Sequence, residues 1–140
     1  MSDSGVAVTL SEFRGKPVVL YFYPKDDTPG CTAQACGIRD AWDEFTDRGA
    51  VVLAVSPDKE SSHVKFKKKY GLPFTLLADT DHSVAEAYGV WVEKKNYGKT
   101  SMGIERSTFV IDADGNVARV MRRVNPRTHA DDVLAALESA

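Results

Sequence analysis

Two apolar runs, Val18 to Tyr23 and Ala50 to Val55, lie just far enough apart for a helical segment, and this constrains the fold more than anything else in the chain. Short runs rich in β-branched and aromatic side chains, with hardly a polar atom, read as strands buried on both faces. Between them Ile38, Trp42 and Phe45 recur at helical spacing until Gly49 supplies a stop. Strand, helix and strand with a connection of this length predict a right-handed βαβ unit.

The junction inside that unit holds both cysteines of the chain. Tyr23-Pro-Lys-Asp-Asp-Thr-Pro-Gly-Cys31-Thr-Ala-Gln-Ala-Cys36 begins as a polar loop punctuated by proline and glycine and then enters the helix. Thr28 is placed as the N-cap and Pro29 as a first-turn residue, so Cys31 falls in the first turn. Unpaired amide N–H groups at a helix start favour an anion, and the thiolate is the reactive form of cysteine. Cys31 is therefore placed to be a nucleophile. A buried packing cysteine is the competing reading, but a polar loop end is a poor site for a core hydrophobe. Cys36 follows five residues on. In an intact helix the two Cα atoms are roughly 8 to 9 Å apart and point away from each other. A disulfide needs about 7 Å or less, so pairing requires the first turns to unwind, with Gly37 lowering helix propensity nearby.

The rest of the chain supplies support for this junction. Val6, Val8 and Leu10 alternate as a short edge strand. Residues 59 to 70 read as a helix with His63 or Val64, Phe66 and Tyr70 inward and Lys65, Lys67, Lys68 and Lys69 mostly solvated. Phe74 to Ala78 is a further strand, and Asp79, Thr80 and Asp81 offer a cap for a helix that Gly89 ends. Val90 to Gly103 reads as an irregular polar loop, either functional or a surface insertion, in which Trp91 and Tyr97 could line an apolar entrance. Ser107 to Asp112, a turn at Asp112 to Asn116 and Val117 to Val124 form a hairpin, and His129 to Ser139 a closing amphipathic helix. The order βαβαβα, hairpin, α predicts a single α/β domain over residues 1–140. Its central mixed β-sheet, flanked by helices on both faces, is of thioredoxin-like architecture.

Composition removes several function classes. At 140 residues, 43% hydrophobic and 27% charged, the chain supports one core and not two. A net charge of -2 gives no general attraction to nucleic acid or anionic membranes, and no stretch has the length of a membrane span or the pattern of a signal peptide. The expected compartment is cytoplasmic, where a cysteine pair is more often redox-active or metal-binding than a structural staple. His63, His82 and His129 are scattered and show no ligand spacing with the cysteines, which argues against a metal.

The run from Tyr23 to Cys36 resembles the active-site signature of the peroxiredoxins, with Pro24, Thr28 and Cys31 in a Pro-x3-Thr-x2-Cys arrangement. A second cysteine five positions later resembles the bacterioferritin comigratory protein, or PrxQ, subfamily. Ser56-Pro-Asp58, Tyr88-Gly-Val-Trp91 and Arg106-Ser-Thr-Phe-Val-Ile-Asp112 continue the likeness, which spans nearly the whole chain from Val8. The resemblance implies a thiol-dependent peroxidase acting on hydrogen peroxide and organic hydroperoxides. Cys31 matches the peroxidatic cysteine, whose thiolate attacks a peroxide oxygen and becomes a sulfenic acid. Thr28 matches the residue whose hydroxyl accepts from the peroxide. Arg106 matches the arginine that stabilises the thiolate and the developing charge, and Pro24 the proline that shields the site from water. Cys36 matches the resolving cysteine, which forms an intramolecular disulfide that a thioredoxin-type dithiol then reduces.

The resemblance further implies a monomer and no metal, haem or flavin cofactor. Family members usually begin earlier, with a Pro-x-Phe segment that adds a hairpin, so a shortened hairpin and an open sheet edge are expected here. Each assignment has a plainer competitor: Arg106 as a surface cation, Thr28 as a cap alone, Cys36 as a packing residue. Two other functions stay open on sequence: a thioredoxin-like disulfide oxidoreductase, which favours Cys-x2-Cys, and a non-enzymatic redox sensor.

Overall fold

The computed structural model describes residues 15–96, 99–122, 124–125 and 128–138. Among these residues five strands form the main sheet: β1 (Val18–Phe22), β2 (Val51–Ser56), β3 (Thr75–Ala78), β6 (Ser107–Ile111) and β7 (Val117–Arg122), in the order β3-β2-β1-β6-β7. β1 to β3 run parallel; β6 and β7 are antiparallel to their neighbours, so the sheet is mixed. β1 is central and all five of its residues are buried, as its unbroken apolar sequence requires.

Alternation along β1 divides the interior in two. Val19 and Tyr21, with Tyr23 beyond the strand, face a cluster holding Cys31, Ala35 and Ile38 of α1 (Pro29–Asp40) and Phe45 of α2 (Trp42–Asp47). Phe66 of α3 (Glu60–Tyr70) and Val133 and Leu134 of α5 (His129–Glu138) complete it. Val18, Leu20 and Phe22 face the other cluster, closed by Ala85 of α4 (Ser83–Ala87) and by Val90 and Ile104. Helices thus lie on both faces, with only the short α4 on the second among the described residues.

Three expectations need correction. Val90 to Gly103 is no irregular loop: β4 (Trp91–Asn96) and β5 (Lys99–Ile104) pair antiparallel as a separate two-stranded sheet. The polar composition hid it; among the described residues, buried Val90 and Ile104 anchor its base in the core. Trp91 stacks on His82 at 4.0 Å and packs with the second cluster, on the face opposite Cys31, so it lines no entrance there. Tyr97 lies outside the described residues. The helix expected to run unbroken to Gly49 is interrupted at Ala41, whose backbone (φ -98, ψ 15) leaves the helical well. Past that joint Trp42 lies 6.4 Å from Phe45 and 6.1 Å from Phe74 between ring centres. In α3, Val64 faces solvent and His63 is the buried residue. The expected edge strand at Val6 to Leu10 lies outside the described residues.

Candidate active site

Cys31 owes its place to the sheet. β1 ends at Phe22 and hands the chain to the loop that starts α1, while β6 runs the other way and begins at Ser107, directly opposite Phe22. Arg106, the residue before β6, is therefore delivered to the same edge as Cys31 although the two are 75 positions apart in sequence. One Nη1 hydrogen of Arg106 points to Cys31 Sγ at 3.4 Å, and Nη1 also donates to Gln34 Oε1 at 2.7 Å. A guanidinium is permanently charged and planar, so it offers the sulfur both a cation and a directed donor. Cys31 is a free thiol only 2% exposed, and Cys36, also free, is half-buried within the same helix.

Thr28 occupies the N-cap position with extended backbone (φ -91, ψ 155), but its hydroxyl makes no cap hydrogen bond. It donates instead to the Lys25 carbonyl at 2.9 Å, which corrects the expected capping role. With its hydrogen spent, the Thr28 oxygen can offer only lone pairs to a visitor. Pro24 is half-buried between Tyr23 and Lys25, at the start of the loop. Tyr21 shares the buried cluster with Cys31, and its phenol is held well above its ordinary range first by burial and then by the charge at Cys31.

The loop between Tyr23 and Thr28 is pinned by α3, and sequence reasoning missed this. Asp26 is buried and accepts from Tyr23 Oη (2.6 Å), Ser62 Oγ (2.8 Å) and His63 Nδ1 (2.7 Å), while its amide donates to Asp58 Oδ2 at 2.7 Å. Burial and then Asp26 push the Tyr23 phenol well above its ordinary range. Asp27, in the left-handed region at φ 57, accepts from Lys69 and Tyr70, each at 2.7 Å, and those bonds hold its carboxyl below the usual value. Asp26, Asp58 and His63 stand close enough to suggest a metal centre. Both ring nitrogens of His63 already have partners, Nδ1 with Asp26 and Nε2 with the Leu77 carbonyl at 3.0 Å, so the cluster reads as an internal hydrogen-bonded anchor.

A second buried string lies behind Arg106. Gln34 Nε2 is 3.2 Å from His129 Nδ1, and His129 Nε2 is 2.6 Å from Thr108 Oγ1. Burial, and then the charge of Arg106, push His129 down to about 3, so its imidazole is neutral at physiological pH. The available signal was weak: His129 opens an amphipathic helix, and nothing local links it to Gln34, 95 positions away.

The chain matches the AhpC/TSA family model over residues 2–120. It is 51% identical over 136 residues to a peroxiredoxin Bcp of Bacillus subtilis, covering 97% of this chain and 87% of that one. A peroxiredoxin Bcp of Escherichia coli K12 is 49% identical over 132 residues, covering 94% and 85%. Among solved structures, the Xanthomonas campestris bacterioferritin comigratory protein, studied for its alkyl peroxide reduction activity, superposes with a TM-score of 0.94 at 42% identity. That match covers 99% of this chain and 88% of that one. A cysteine held at a helix start under an arginine, on a sheet of this topology and with relatives this near, leaves one assignment: the chain belongs to the AhpC/TSA family and, within it, to the Bcp/PrxQ peroxiredoxins.

Proposed function

We propose that this thiol-dependent peroxidase works through Cys31 as the peroxidatic residue and Cys36 as the resolving one. The observation that carries the residue assignment is the Arg106 Nη1 to Cys31 Sγ contact at 3.4 Å, at the first turn of α1. The thiolate attacks one oxygen of ROOH; the O–O bond breaks, the departing RO⁻ takes a proton to leave as ROH, and Cys31 becomes a sulfenic acid. Arg106 is placed to follow the charge as it moves from sulfur to the leaving oxygen. Thr28 accepts a hydrogen bond from the peroxide, and Pro24 keeps bulk water off the thiolate. Cys36 then attacks the sulfenic sulfur, expelling water and forming the disulfide, and an external dithiol of thioredoxin type returns both thiols. The position a Cys-x2-Cys reductase would use is Gln34, which speaks against that alternative. The proposal extends to a cytoplasmic monomer.

The test is intact mass and thiol titration after one equivalent of hydrogen peroxide. Wild-type protein loses two hydrogen atoms and both thiols, whereas Cys36→Ser gains one oxygen and stops there. Retention of the Cys36 thiol in oxidised wild type would overturn the resolving role. Arg106→Met is expected to slow the peroxide step by about 10²- to 10³-fold, the usual loss for one directed donor at a developing charge. Single-turnover kinetics check this, and a wild-type rate would remove Arg106 from the site.

A further inference from the structure

The polar string behind Arg106 has a direction. A guanidinium has no acceptor, so the group it meets at 2.7 Å must be the Gln34 carbonyl oxygen, which turns the Gln34 NH₂ toward His129. That NH₂ donates to Nδ1 of His129 at 3.2 Å, so Nδ1 carries the lone pair and the ring proton is on Nε2. Nε2–H donates in turn to Thr108 Oγ1 at 2.6 Å. Gln34, Thr108 and His129 are all at 0% exposure, out of reach of water that could substitute for a missing partner. Donation thus runs one way from Arg106 to Thr108, through α1, the start of α5 and β6.

We propose that His129, oriented by Thr108, is a positioning residue for the peroxide reaction: it locks the Gln34 amide so that its oxygen holds Arg106 against the Cys31 sulfur. The planar guanidinium makes this effective. Nη1 carries two hydrogens in fixed directions, and seating one on Gln34 Oε1 aims the other at Sγ. Without an acceptor at Nδ1, only Arg106 still distinguishes the two ends of the Gln34 amide, and its NH₂ is left buried and unpaired, which favours turning that NH₂ elsewhere. A flipped amide presents N–H to a cation, and Arg106 swings away. The neutral state of His129 is the one this wiring needs, and its burial beside Arg106 supplies it. Packing at Tyr21, 5.2 Å between ring centres, holds the imidazole plane.

The inference rests on the roles proposed for Cys31 and Arg106, so the experiment reads those separately. In a Cys36→Ser background, the ultraviolet absorbance of the Cys31 thiolate at neutral pH and the single-turnover rate with hydrogen peroxide are measured for His129→Leu, His129→Asn and Thr108→Val. His129→Leu is expected to lower thiolate absorbance and slow the reaction by about tenfold to a hundredfold, the scale of a sub-ångström misplacement. His129→Asn, which keeps an acceptor near the Nδ1 position, recovers most of the rate. Added to Arg106→Met, His129→Leu costs nothing further, because the residue acts only through the arginine. Unchanged thiolate absorbance and rate in His129→Leu, with reduced thermal stability, would overturn the proposal in favour of a packing role. Should His129→Leu not fold, Thr108→Val decides in the same way. If Arg106→Met alone leaves the rate intact, it is the proposed role of Arg106 that fails.

Discussion

Cys31→Ser is expected to abolish peroxide consumption, a loss on the order of 10⁶-fold where a nucleophile has been removed from an otherwise intact site. The reason lies in what surrounds the atom. The helix start and the Arg106 N–H act on a thiol sulfur, whose anion is the nucleophile, and a serine hydroxyl offers no comparable anion. Oxygen is also the smaller atom, so the 3.4 Å contact from Arg106 becomes too long for a strong hydrogen bond. Stopped-flow consumption of hydrogen peroxide with excess dithiol checks this. Persisting activity in Cys31→Ser, lost on replacing Cys36, would exchange the roles of the two cysteines.

The second large effect is acid lability traceable to His129. Its folded pKa of about 3 lies below the ordinary 6.5, so between those values the unfolded chain takes up a proton that the folded protein refuses. Stability from this group is therefore complete above about pH 6.5 and is lost as pH falls toward 3. The gap corresponds to about 5 kcal/mol in total, on the scale of a whole domain's stability. Carboxylates such as Asp26 titrate in the same range, and a comparison separates them. Urea midpoints at pH 7 and pH 4 should fall further for wild type than for His129→Leu, by about 3 kcal/mol after conversion. Equal falls would mean that His129 opens to water before the protein unfolds.

What was legible in sequence and what was not divide along a physical line. The β1 run, the Pro- and Gly-marked loop and the Cys31 turn carry local signals, since strand burial, helix starts and thiol chemistry are set by neighbours in sequence. Arg106 was legible only through its motif; the antiparallel pairing of β1 with β6 is what brings it to the sulfur. Gln34, Thr108 and His129 looked like an ordinary helix residue, a strand residue and a helix start, and their meaning exists only once three elements meet. Asp26 read as loop polarity and proved buried, because its partners Ser62 and His63 come from α3. The β4–β5 pair was missed for the opposite reason: its strands are polar and its register depends on backbone bonds that composition does not report.

The joint at Ala41 bears on how the catalytic cycle spends free energy. Sulfur–sulfur bonding between Cys31 and Cys36 needs α1 to melt, and helix melting is cooperative along an unbroken hydrogen-bonded ladder. Because α1 ends at Asp40 and α2 begins anew at Trp42, the ladder is already cut, and the cut works as a firebreak. Disorder that starts at the cysteines stops there, and the Trp42, Phe45 and Phe74 rings beyond it keep their packing. With Cys31 and Cys36 pairing as proposed, each turnover loosens part of the twelve-residue α1, with the contribution of Cys31, Ala35 and Ile38 to the first cluster, while the sheet and the packing beyond Ala41 stay assembled, so rewinding on reduction is a local event and not a refolding.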